Sequence, residues 1–259
     1  VTHTAAMRPP DSSRSAFVPL VAIAGALVGA LAFFADGLRG PFGAVVLGAV
    51  SSASTWMLGA TVVGYLAGSR LRAGVAAAVF GAGVTAVYYT LRWVFLQPWA
   101  FGSPDPHGAG WGSPAGLRFL LVAAAWIAAT AVGGAVLGVL ARTVPRQRSP
   151  LGDVLSGVWL GVCLAPAIAY LPDLVTHAGA TWAHADWGAT ADTGAPHALI
   201  SALAAAAVVL IVVPALAPRG RGAPAVTRFA GAACLSTAAL AVLFRLATDA
   251  VRTIAGDVF

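Results

Sequence analysis

The stretch Phe-Val-Pro-Leu-Val-Ala-Ile-Ala-Gly-Ala-Leu-Val-Gly-Ala-Leu-Ala-Phe-Phe, residues 17–34, contains no polar side chain. A bilayer core about 30 Å thick takes about 20 helical residues to cross, and this run fits that length. It follows Arg8 and Arg14, as the core of a secretory leader would. It is longer than the roughly 7–15 residues of a leader core, and no good small-x-small cleavage site follows it. The run therefore reads as a retained membrane span.

The same pattern recurs along the chain. Extended to 17–35, the first run is followed by apolar runs at 43–68, 73–95, 117–141, 152–171, 197–217 and 228–248. The expected fold is an all-α polytopic transmembrane helix bundle of about seven spans, or six if one run is re-entrant. Residues 1–16 form an N-terminal tail. Residues 17–259 form one transmembrane helical domain with loops at 96–116 and 172–196. Composition agrees, since 59% of the 259 residues are hydrophobic and 9% are charged. Soluble domains carry about 25% charged residues, so a water-facing surface cannot be covered here.

All 15 basic residues are Arg and all nine acidic ones are Asp; Lys, Glu and Asn do not occur. With abundant Ala, Gly and Pro, that usage suggests a GC-rich bacterial genome. The formal charge of +6 does not indicate nucleic acid. The Arg residues occupy short connections, where they orient a membrane protein. Arg8, Arg14, Arg70, Arg72, Arg142, Arg146, Arg148, Arg219, Arg221 and Arg228 fall on one side. The other side has Arg39, Arg92, Arg118, Arg245 and Arg252, with most of the Asp. The Arg-rich side is expected to be cytoplasmic. That puts the N-terminus inside and the C-terminus outside, in a multi-pass protein of a bacterial cytoplasmic membrane.

Membrane proteins that couple to ions keep ionisable groups in mid-membrane, and none is expected near a span centre here. Arg92 and Arg245 fall near outer ends. Arg92 is anchored there with Tyr88, Tyr89 and Trp93, and Arg245 is placed to pair with Asp249 one turn on. No metalloprotease, nucleophile-elbow or phosphate-loop motif occurs. Cys163 and Cys234 read as small core residues, and no cofactor is implied.

Two features carry the functional reading. One is Val-Ser-Ser-Ala-Ser-Thr-Trp, residues 50–56, where Ser51, Ser52, Ser54 and Thr55 interrupt an apolar run. The other is a ladder at four-residue steps on the same span, Gly48, Ser52, Trp56, Ala60, Gly64 and Gly68, small at every rung but Trp56. Thr130, Gly134 and Gly138 form a second ladder. Such ladders let helices approach closely. Residues 56–72 align on 126–142, either as a hairpin repeat or as two similar packing seams. Pro166 is the proline best placed for a functional kink.

The segment Trp56-Met-Leu-Gly-Ala-Thr-Val-Val-Gly-Tyr-Leu-Ala-Gly-Ser-Arg70, followed by Gly81-Ala-Gly-Val-Thr-Ala-Val-Tyr-Tyr89, resembles small actinobacterial integral membrane proteins of unknown function. In these, a Trp-centred helix precedes a helix ending in paired Tyr. The resemblance covers residues 20–95 and rests on Trp56, Gly64, Gly81, Tyr88 and Tyr89. It implies a multi-span bacterial membrane protein and brings no activity or site residue.

Three functions fit these residues. A permease-like or channel-like protein for a small uncharged solute would use Ser51, Ser54 and Thr55, with Ser236 and Thr237 at similar depth in the last span. A non-catalytic subunit or scaffold would bind a membrane partner, or its own copies, through Gly/Ala seams. An enzyme or metal site would use His177, His184, Asp186 and His197 in and beside the long outer loop, since His and Asp are metal ligands. The lipid bilayer is a partner in all three.

Overall fold

A computed structural model describes residues 16–38, 46, 49–96, 114–144, 149–169, 206 and 222–255. Among these, all regular structure is helical: α1 (Phe17–Asp36), α2 (Ala53–Leu66), α3 (Arg70–Leu91), α4 (Pro114–Thr143), α5 (Pro150–Ala169) and α6 (Ala223–Ala255). A π-helical turn, Arg92–Leu96, extends α3. Four helical stretches are long and apolar enough to cross a membrane: Phe17–Asp36, Arg70–Phe95, Gly116–Thr143 and Ala223–Ala247. In α5 the apolar stretch is shorter, Pro150–Pro166. Apart from Ala206, the 197–217 run lies outside the described residues.

Helix starts follow hydroxyl caps. Ser52, Ser69 and Ser149 accept hydrogen bonds from Thr55 N, Arg72 N and Gly152 N at the heads of α2, α3 and α5. Each supplies an acceptor to a first-turn amide that the helix leaves unpaired.

The packing is inverted relative to a soluble protein. On α1 the buried positions include Gly25, Gly29, Ala32 and Ala35. Leu20, Ile23, Leu27, Leu31 and Phe34 face outward, each more than half exposed. Lipid tails are as apolar as Leu, so outward Leu costs nothing in a bilayer, and contact is driven by close approach of small residues. A methyl group added at Gly29 would overlap the Val84 carbonyl, and one at Gly134 would overlap that of Ala77. Gly64 and Gly138 face each other backbone to backbone.

These contacts fix the register. α1 runs parallel to α3, with Gly25 on Phe80 and Gly29 on Val84. α4 runs antiparallel to α3, with Gly134 on Ala77 and Gly138 on Ala73. α2 lies parallel to α4, and Arg142 donates to the Gly68 carbonyl at 2.8 Å where both end. The likeness of 56–72 to 126–142 thus corresponds to a seam between parallel helices. α2 and α3 form a packed hairpin, whereas α4 and α5 barely touch, so the hairpin itself is not repeated.

α5 and α6 form a second body and are parallel to each other. Asp153 pairs with Arg228 at 2.9 Å near their starts, and Gly157 sits on Phe229. Further along, Gly161 meets Ser236, and Arg245 donates to Ala169 O at 3.4 Å. Asp153 is 1% exposed, so a charge at the very start of the 152–171 run is inside this seam. The two bodies touch lightly, chiefly between α2 and α5. There Trp159 Nε1 donates to Thr61 Oγ1 at 3.1 Å.

Arg92, Arg118 and Arg245 lie toward the helix ends remote from Arg70, Arg72, Arg142 and Arg228. Arg92 donates to Tyr88 OH at 3.2 Å, and Tyr88 OH donates to Asp36. Arg245 lies 3.7 Å from Asp249, the one-turn pair read from the sequence.

Candidate functional site

The hydroxyl run of residues 50–56 breaks a helix. Residues 49–51 are helical, Ser52 is extended (φ −71°, ψ 140°), and α2 starts afresh at Ala53. The surrounding residues hold the break in place. Ser52 Oγ accepts from Thr55 N at 3.2 Å and pairs with Thr55 Oγ1 at 2.8 Å. Trp56 Nε1 reaches back across the break to Val50 O at 2.6 Å. The expected ladder through Gly48, Ser52 and Ala60 is therefore interrupted at Ser52. Its small-residue contact resumes at buried Ala60 and at Gly64, and a methyl group added at Gly68 would meet nothing within 4 Å among the described residues. Gly48 lies outside the described residues.

The break separates the hydroxyls into two kinds. Ser52 and Thr55 satisfy each other. Ser51 Oγ and Ser54 Oγ are buried and have no hydrogen-bond partner among the described residues. Ser54 as a residue is 1% exposed. In an unbroken helix each would bond the carbonyl one turn back. Here Ser54 follows the interruption, and Val50 O already receives the Trp56 indole. The first-turn amides add to this. Thr55 N bonds Ser52 Oγ and Trp56 N bonds Ser52 O, which leaves Ala53 N and Ser54 N outside the helical ladder. A helix N-terminus also carries a partial positive charge of about half a unit.

Elsewhere the hydroxyls within the helix seams are matched, and the other buried hydroxyl without a partner among the described residues is Thr143 Oγ1, at the very end of α4. Thr85 Oγ1 donates to Gly81 O at 3.0 Å and lies 2.9 Å from Thr130 Oγ1. Thr130 in turn bonds Trp126 O at 2.9 Å. Ser156 Oγ returns to Gly152 O at 2.7 Å, and Ser236 Oγ to Ala232 O at 2.6 Å. Of the five residues expected along a solute path, Ser51, Ser54 and Thr55 gather at the break. Ser236 and Thr237 lie in the α5–α6 seam against Gly161.

The junction between bodies was not evident from sequence. Thr61 accepts from Trp159 and also meets the Cys163 thiol. All three are buried. Each stands alone in an apolar run, and nothing in its local pattern pairs it with the others. Thr85 likewise gave no local signal. His177, His184, Asp186 and His197 lie outside the described residues. Among the described residues, no three His, Cys or Asp side chains gather as a metal site.

The arrangement can present hydrogen-bond donors, without net charge, inside an apolar bundle. It contains no nucleophile–base pair among the described residues. Compared with protein-family models, curated proteins and solved structures, the chain matches none.

Proposed function

We propose that the chain is a permease-like or channel-like protein for a small uncharged solute, seated in a bacterial cytoplasmic membrane with seven spans. The observation that carries this reading is the helix break at Ser52, with Ser51 Oγ and Ser54 Oγ buried and unpartnered. Irregular backbone at membrane depth is tolerated where protein covers it or where it lines a path, and broken helices are a recurrent way of forming solute sites. An unpaired buried hydroxyl costs about 1–3 kcal/mol, and a hydrogen-bonding solute offsets that cost.

The span count is supported by register. α5 and α6 are parallel, so the chain between them returns from one end to the other, and the apolar run 197–217 is long enough to make that crossing. Orientation is supported by Arg70, Arg72, Arg142 and Arg228, which gather at one end of the helices. By the positive-inside bias that end is cytoplasmic, which places the N-terminus inside and the C-terminus outside. The scaffold reading is weakened because Gly64, Gly134 and Gly138 fill their seams within the chain.

The test is solute flux in proteoliposomes, read by stopped-flow light scattering across a panel of small neutral solutes. At least one solute is expected to cross faster than in protein-free vesicles, and Ser54→Ala to slow it. Protein-free rates for the whole panel would end the transport reading. For topology, a C-terminal fluorescent fusion that glows in the cytoplasm would contradict seven spans.

A further inference from the structure

Two gaps in the helical hydrogen-bond ladder fall at one level of the α2–α5 pair. The first is the restart of α2 at Ser52. The second is Pro166, which lies inside α5. Ser54 and Thr61 are two turns apart, so they share a face of α2, about 10 Å from each other. Trp159 and Pro166 are likewise two turns apart on one face of α5. α5 begins at the end where α2 finishes, so the two run antiparallel. The 3.1 Å bond from Trp159 Nε1 to Thr61 Oγ1 sets their register. That register brings Pro166 to the level of Ser54, and both residues are buried.

The two sides offer complementary chemistry. Cα–Cβ bonds tilt toward a helix N-terminus, so the unpartnered Ser54 hydroxyl stands at the open end of α2, beside the Ala53 and Ser54 amides. That side donates. Proline has no N–H, so the Val162 carbonyl one turn before Pro166 loses its helical donor. That side accepts. α2 carries no charged side chain, and α5 carries only Asp153, at its far end. An ion here would be desolvated without a counter-charge, which is costly. A neutral molecule with a carbonyl oxygen beside an N–H satisfies both sides at once.

We propose that the seam between Ser54 and the Pro166 turn binds small neutral amides and ureas. The carbonyl oxygen receives the Ser54 hydroxyl and the first-turn amides of α2. The solute N–H donates to Val162 O. The proposal deepens the solute-path reading above and rests on it for transport, but binding is measured without flux.

The experiment labels Ser54→Cys with N-ethylmaleimide in a Cys163→Ala, Cys234→Ala background; Ser54 and Cys163 are buried alike, so both native thiols are removed and any labelling reports access along the solute path to position 54. Saturating acetamide is expected to slow labelling about fivefold, and acetate, its anionic isostere, to leave the rate unchanged. Pro166→Ala restores an N–H for Val162 O. It is expected to raise the acetamide concentration needed for protection about fivefold, the worth of one neutral hydrogen bond. If Ser54→Cys does not fold, thermal unfolding of the unmodified chain serves instead: acetamide should raise its midpoint, and Ser54→Ala should abolish the rise. No protection and no rise overturns the site, as does equal protection by acetate. Flux without protection removes this site but leaves the transport reading. Protection without flux does the reverse.

Discussion

Two hydroxyl pairs lie in the apolar interior of this molecule, and their chemistry is opposite. In the α3–α4 seam, Thr85 and Thr130 bond each other and the carbonyls of their own helices. At the head of α2, Ser51 and Ser54 have buried oxygens with no partner. Both regions are rich in small residues, and both read alike in sequence as hydroxyls within apolar runs. The difference is backbone continuity. α3 and α4 run unbroken past their Thr residues, so a carbonyl one turn back is always in reach. At Ser52 the helix stops and restarts, so Ser54 has no turn behind it. A hydroxyl in a membrane helix is therefore not itself a sign of function; the proposed solute path rests on hydroxyls that the fold leaves unmatched at a helix break.

The largest effect is expected where the matched seam is densest. Gly138→Val places side-chain atoms against the Ala73 carbonyl and the Ala77 side chain. Overpacking costs about 1–3 kcal/mol where neighbours can yield, and more against backbone. Gly138→Val should lose folded protein in detergent by size-exclusion chromatography, whereas Gly133→Val, with nothing within 4 Å, should not. Equal behaviour of the two would break the account of the seam.

The next effect tests the second body. Arg228→Ala takes the Arg228 guanidinium away from Asp153, which is 1% exposed. Breaking one partner of a buried ion pair costs about 3–5 kcal/mol, reduced here because Arg228 is 39% exposed. A lower thermal midpoint is expected, and Arg228→Lys should recover part of it. A neutral Arg228→Ala would show that Asp153 is held by other groups.

A smaller effect concerns the junction. Trp159→Phe removes the bond to Thr61 and keeps the aromatic volume. Interhelical hydrogen bonds in membranes average about 0.6 kcal/mol, so stability should change little. If α5–α6 moves against α1–α4, flux should change more than stability. No change in either would assign the bond to packing alone.

Much of the fold is legible in the sequence because lipid imposes a simple rule. Runs such as 17–34 and 117–141 have the length and apolarity that a span demands, and they fold as α1 and α4. The setting of Arg92 at the end of α3 is legible too, because Tyr88 and Tyr89 precede it by about one turn and Tyr88 OH accepts from it. What was hidden depends on contacts between distant segments. Thr61 and Trp159 are each an ordinary residue in an apolar run until α5 crosses α2. The burial of Asp153, at the start of the 152–171 run, is hidden because its partner Arg228 lies far along the chain. The hydroxyl run 50–56 was half legible. Its composition marks it as unusual, and Ser is a favoured helix cap. Within a run long enough to span, though, continuous helix was the simpler reading, and only the extended backbone at Ser52 separates Ser54 from Thr85.

The measurement closest to that distinction is a paired thermal unfolding of Ser54→Ala and Thr85→Val in the same detergent. Removing a buried, unmatched hydroxyl relieves a cost, so Ser54→Ala should raise the midpoint, by an effect of about 1 kcal/mol. Thr85→Val removes one member of a matched pair, so it should lower the midpoint by a similar amount. Opposite signs are the prediction. A Ser54→Ala protein destabilised as much as Thr85→Val would mean that Ser54 is already satisfied within the fold, and the helix break would then be only a feature of packing.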